Sequence, residues 1–134
     1  MTQNTTPTTD AYIPGVCNIN RAEIAYRQRS GYVITAVFIA MLIAFVALGL
    51  NRWIRLSLFL PGFLLADCFL QAKNKFCVGY GAAGQHNANE GSSKAVDVAD
   101  AAAKAKDKQR ARTINMQAAG IGVVLTLLAL AIPQ

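Results

Sequence analysis

The chain has 134 residues, of which 54% are hydrophobic and only 15% charged, with a net charge of +6. That leaves room for a single domain and leans toward the membrane class. The basic residues gather beside apolar segments without interleaved stacking aromatics, a placement that favours anionic lipid headgroups and argues against a nucleic-acid partner.

Residues 1–19 open polar and Thr-rich, and a disordered N-terminal segment is expected, with a turn at Tyr12–Pro14–Gly15. Asn20 stands three residues before Glu23, the spacing of a helix cap and its reciprocal partner. A short interfacial helix over 20–31 would carry Arg21, Arg27 and Arg29 in the polar zone. Gly31 then either hinges this helix against the apolar run at 32–50 or lies inside one continuous helix.

Residues 32–50 pass without a charge. As a helix they reach ~28 Å, about the hydrocarbon thickness of a bilayer. No small-residue cleavage site comes after them, so the run reads as an uncleaved first span and not as a signal peptide. Ala36, Ala40 and Ala44 recur at four-residue spacing, and such stripes let helix backbones approach closely in lipid.

A second apolar segment covers 53–70, with Trp53 suited to the headgroup boundary and Arg55 able to snorkel. Pro61–Gly62 predicts a kink, or a turn that makes the segment re-entrant. Asp67 is a carboxylate inside an apolar run, and such groups pair or face a polar cavity. With Gln71 and Asn74 it forms a polar stripe at i, i+4 and i+7, a candidate for ion handling. An ion pair with Arg27, Arg29 or Lys73 is the structural alternative.

Residues 71–92 read as a glycine-rich loop. Gly79-Tyr80-Gly81-Ala82-Ala83-Gly84 matches G-x-G-x-x-G letter for letter, yet no strand precedes it, so a nucleotide site is not expected. A basic helix over 93–113 would start at a Ser92 or Ser93 cap, with Asp97 and Asp100 in its early turns. Asp100 and Lys104 sit at a favourable spacing of four. Lys104, Lys106, Lys108, Arg110 and Arg112 alternate with other residues and so surround the axis as a collar against the membrane surface. The last span would cover 114–132, with a second small-residue stripe at Ala118, Gly122 and Thr126. This stripe is the counterpart of the alanine stripe on the first span, and these two helices are expected to touch.

Three cysteines (Cys17, Cys68, Cys77) are an odd number, which argues against a closed disulfide framework. With His86 they make up a tetrahedral zinc set on paper, but no C-x-x-C or H-x-x-x-H spacing supports it, and no cofactor is expected. The fold class is therefore all-α: an integral membrane protein with three transmembrane helices, an N-terminal interfacial helix and a cytoplasmic extension of the last helix. Positive charge prefers the cytoplasm, which puts the N-terminus inside and Gln134 outside, in a bacterial or archaeal inner membrane. A re-entrant second segment would instead move the N-terminus outside. The function expected is non-catalytic, an accessory subunit or self-assembling scaffold working through helix contacts with its own copies or a membrane partner. A small transporter or channel component using Asp67 is the alternative, and a cysteine–histidine metal or thiol site a weaker one.

Overall fold

The computed structural model describes residues 12–91 and 94–134. The expected tail at 1–10 and the Ser92 or Ser93 cap lie outside them. The chain is mostly helical: α1 (Arg21–Ala47), a 3-10 segment (Arg52–Leu58) running into α2 (Phe59–Asn74), α3 (Val78–Ala83), strands β1 (Gln85–His86) and β2 (Val96–Asp97), and α4 (Ala101–Ala131). Three stretches, Arg21–Ala47, Arg52–Asn74 and Ala101–Ala131, are long and apolar enough to cross a membrane. The chain divides into two compact units, 12–25 with 71–112 among the described residues, and 26–70 with 113–134.

In the second unit α1 runs unbroken through Gly31, so the separate interfacial helix and the hinge are replaced by one helix of 27 residues. At ~1.5 Å per residue it is ~40 Å long. Gly31 serves packing instead. A Cβ there would lie 2.9 Å from the edge of the Phe69 ring, so only glycine lets the ring rest on the helix backbone. Pro61 does not open a turn either. It is the third residue of α2, in the first turn, where a missing N–H breaks no helical bond.

Phe38, Leu58 and Ala129 form the buried apolar cluster of this unit, with Met41, Leu42, Phe45, Leu65 and Leu125 packed against it. The small-residue stripe of α4 is buried at Ala118, Gly122 and Thr126. Its neighbour is α2: a Cβ on Gly122 would lie 3.1 Å from Phe63 N and 3.2 Å from Phe59 Cε2, and one on Gly62 would lie 3.7 Å from Gly122 Cα. α1 and α4 do meet, through Phe38 and Ala129 in the apolar cluster, but Ala36, Ala40 and Ala44 take no part, because all three are exposed. The inward face of α1 is made of large side chains, which fill more of the space between helices than alanine can. Gly122→Ala should cost about 1–2 kcal/mol, since backbone must shift by a few tenths of an ångström, and thermal unfolding in detergent would measure it.

In the first unit, the N-terminal segment is tied down by amide side chains. Asn18 pairs with Cys77 as a strand would: Cys77 N donates to Asn18 Oδ1 (2.6 Å) and Asn18 Nδ2 donates to Cys77 O (3.0 Å). Asn18 N donates to Lys75 O (3.1 Å), and Asn87 N donates to Asn18 O (2.7 Å). Ile19 and Asn18 are fully buried. Residues 12–19 are therefore ordered where a disordered segment was expected, because four backbone and amide bonds repay the loss of chain entropy.

The glycine-rich loop contains α3 and β1, and β1 pairs with β2 beyond it, in the register Gln85 opposite Asp97 and His86 opposite Val96. Gly81 packs where a Cβ would meet the Phe76 ring at 2.7 Å, and Gly84 stops α3 with φ +72°. The literal G-x-G-x-x-G run is thus a packing and capping device. α4 starts later than 93, at Ala101. Its cap is Asp100, whose carboxylate accepts from Ala102 N and Ala103 N, both at 3.3 Å, while Asp97 lies in β2.

Candidate functional site

At the start of α1, Asn20 Oδ1 accepts from Glu23 N (3.0 Å), a cap as its spacing predicts. Glu23 does more than cap. Its Oε1 accepts from Asn87 Nδ2 (3.2 Å) and from the Tyr80 hydroxyl (3.4 Å). Asn20 Nδ2 donates to Asn89 O (2.9 Å) and Arg21 Nε lies 3.8 Å from Glu90 Oε1. The polar side chains here spend their bonding capacity on one another.

The strongest tie involves Asp107, a residue that the surrounding lysines mask in the sequence. It is fully buried. Its Oδ2 accepts from the Tyr12 hydroxyl and its Oδ1 from Gly15 N, both at 2.7 Å. The Tyr12 ring stacks on His86 with centroids 4.3 Å apart and planes 11° from parallel. Burial, then the hydrogen bond to Asp107, then the charges of Asp107 and Asp100, push the Tyr12 phenol well above its ordinary range. The signal in the sequence is the spacing of four from Asp107 to Ala103 and Ala111, both buried on the same face of α4.

Two members of the candidate ion-handling stripe also bond within the first unit. Gln71 is buried, and its Oε1 accepts from Val78 N (3.3 Å). Asn74 Oδ1 accepts from Arg110 Nη2. Both therefore hold the first unit together around the end of α2. Asp67 is half-buried in the other unit, where it and Arg27 act electrostatically on Cys68.

The cysteines do not assemble a metal centre. Among the described residues no group of three or more His, Cys, Asp or Glu side chains is placed to hold a metal ion. Cys17 Sγ donates to Ile19 O (3.6 Å) and Cys77 Sγ accepts from Tyr80 N (3.5 Å). Cys17 and Cys77 are buried, and Cys68 belongs to the other unit. His86 Nδ1 accepts from Ala88 N (3.4 Å).

Of the basic collar, Lys106, Lys108 and Arg112 are exposed, as are Arg21 and Arg29, while Lys104, Arg110 and Arg27 are half-buried. The stem of Lys104 covers Gly84, at 3.3 Å from the position of a Cβ there.

Arg55 departs furthest from expectation. Instead of snorkelling it is 1% exposed and reaches the end of α4, where Nη1 donates to Ala129 O (3.0 Å) and Ile132 O (2.7 Å). Ala129 O also accepts a long bond from Ile132 N (3.4 Å), so the guanidinium reinforces this last turn and sits at the negative end of the helix dipole. Its neighbour Arg52 stays exposed, 5.8 Å from the ring of exposed Trp53. No known family, no curated protein and no solved structure matches the chain.

Proposed function

We propose that the protein is a membrane-embedded contact protein, an accessory subunit or self-assembling scaffold whose spans dock on copies of itself or on a membrane partner. One observation carries the reading. Only 11% of the most apolar part of α1 is buried inside the chain, against 28% for the corresponding parts of the other two long stretches. Its outward surface includes Ala36, Ala40 and Ala44, which together admit a close helix neighbour. Lipid alone satisfies that surface, but a second helix gains van der Waals contact along the alanines that lipid tails do not give.

The orientation proposed is cytoplasmic for 12–25 and 71–112, and external for the link between α1 and α2. Supporting it, Lys73, Lys75, Lys94, Lys106, Lys108 and Arg112 are exposed in the first unit, whereas of Arg52 and Arg55 on the link only Arg52 is exposed. A carboxylate in an apolar helix favours the second reading, transport through Asp67. Against it, Gln71 also accepts from Val78 N and Asn74 from Arg110, bonds that serve the fold.

Extraction in mild detergent followed by mass determination tests the contact reading. The expected result is a homo-oligomer or a stoichiometric co-purifying membrane protein, with association weakened when Ala36, Ala40 and Ala44 are replaced by leucine. A monomeric particle without partners overturns it.

A further inference from the structure

Lys75 is the one non-glycine residue with positive φ among the described residues, at +53°. It ends α2 through paired reversing bonds, Lys75 N donating to Ala72 O (3.3 Å) and Phe76 N to Gln71 O (3.0 Å). That stop favours glycine, because a Cβ crowds the next carbonyl in the left-handed region. The chain obeys the rule at the end of α1, where Gly49 has φ +61° and the equivalent bonds run from Gly49 N to Val46 O and from Leu50 N to Phe45 O. Gly84 does the same after α3.

The other backbone duty of Lys75, its carbonyl accepting from Asn18 N, is one that glycine performs equally. Compensation of the helix dipole is already supplied by Lys73 in the last turn. What glycine lacks is the ammonium group. A conformational cost retained at a site with no folding reason points to a use for the side chain.

Resting on the membrane reading proposed for the chain, we infer that Lys75 and Lys73 form a binding site for the phosphate of an anionic phospholipid where α2 leaves the bilayer. Both lysines are exposed. The apolar stretch Arg52–Asn74 ends between them, which sets their ammonium groups at headgroup depth if that stretch spans. Anionic lipid supplies the complementary charge, and a zwitterionic headgroup, carrying its own ammonium, competes poorly for the pair.

The test uses the full chain in nanodiscs of phosphatidylcholine, alone or with phosphatidylglycerol, reading thermal unfolding and, by native mass spectrometry, retained lipid. Lys75→Gly should unfold at a higher temperature than the parent in phosphatidylcholine, through relief of the left-handed strain. It should also bind phosphatidylglycerol ~5-fold more weakly, the weight of one lysine near an anionic surface. Adding Lys73→Gln should weaken binding by a similar factor. Unchanged phosphatidylglycerol binding in the double variant overturns the site, and so does a Lys75→Gly chain less stable than its parent, which would assign the lysine to folding. A chain that stays soluble without detergent and does not enter phosphatidylcholine discs overturns the membrane reading itself, and the lipid site with it.

Discussion

Replacing Asp107 with alanine should free residues 12–16, ahead of the separate ties at Asn18 and Asn20, while leaving the unit that contains 26–70 and 113–134 folded. The carboxylate accepts two 2.7 Å bonds, from Tyr12 and from Gly15 N, and both donors lose their partner at once. Hydrogen bonds to a charged group are worth about 1.5–3 kcal/mol each, so a loss of about 3–6 kcal/mol is expected. Against a typical total of about 5–15 kcal/mol, that is enough to open a local segment. Hydrogen exchange and limited proteolysis should show residues 12–16 unprotected in Asp107→Ala. Continued protection would remove Asp107 from its anchoring role.

The same latch has an alkaline limb. Because the folded state holds the Tyr12 phenol above its ordinary value, the unfolded chain loses that proton first as the pH rises. The contribution is intact below about 10, the ordinary tyrosine value, and disappears as the pH climbs through the folded one. Stability of the first unit should therefore fall above about pH 10, and more gently in Tyr12→Phe.

The second large effect is expected at Arg55. Arg55→Met keeps much of the side-chain volume but strips the donor from Ala129 O and Ile132 O, leaving the carbonyls at the end of α4 without their guanidinium. Leaving a buried carbonyl without its donor costs about 1–3 kcal/mol, part of which is offset because methionine brings no charge to desolvate. Arg55→Lys should recover part of that, since an ammonium lacks the planar fork of donors. Unfolding temperature in detergent and exchange at 129–132 report the result. An unchanged Arg55→Met protein would show that the end of α4 is satisfied by other means.

The three apolar stretches are legible because a long run without charge needs no knowledge of its neighbours. The Asn20 cap is legible because donor and acceptor lie three residues apart. The small stripe of α4 marks a face but does not name what covers it: glycine and alanine permit close approach by any helix, and Phe59, Gly62 and Phe63 of α2 take the place. Arg55 misled because its partners are backbone carbonyls 74 and 77 positions away, invisible in composition. Polarity at 12–20 and glycine at 79–84 usually signal mobility. Here the amides bond to distant backbone, and the glycines make room for Phe76 and a helix stop.

The span from Tyr12 to Asp107 is 95 positions. A ribosome adding ~5–20 residues per second needs roughly 5–20 s to cover it, during which the intervening apolar stretches are already emerging. The early segment, including Ile13, Val16 and Ile19, cannot find its carboxylate during that interval. Assembly of the polar unit is thus a late event, and a stalled or truncated translation product lacking position 107 would present Tyr12 and Gly15 without their anchor to whatever chaperone or protease surveys nascent chains.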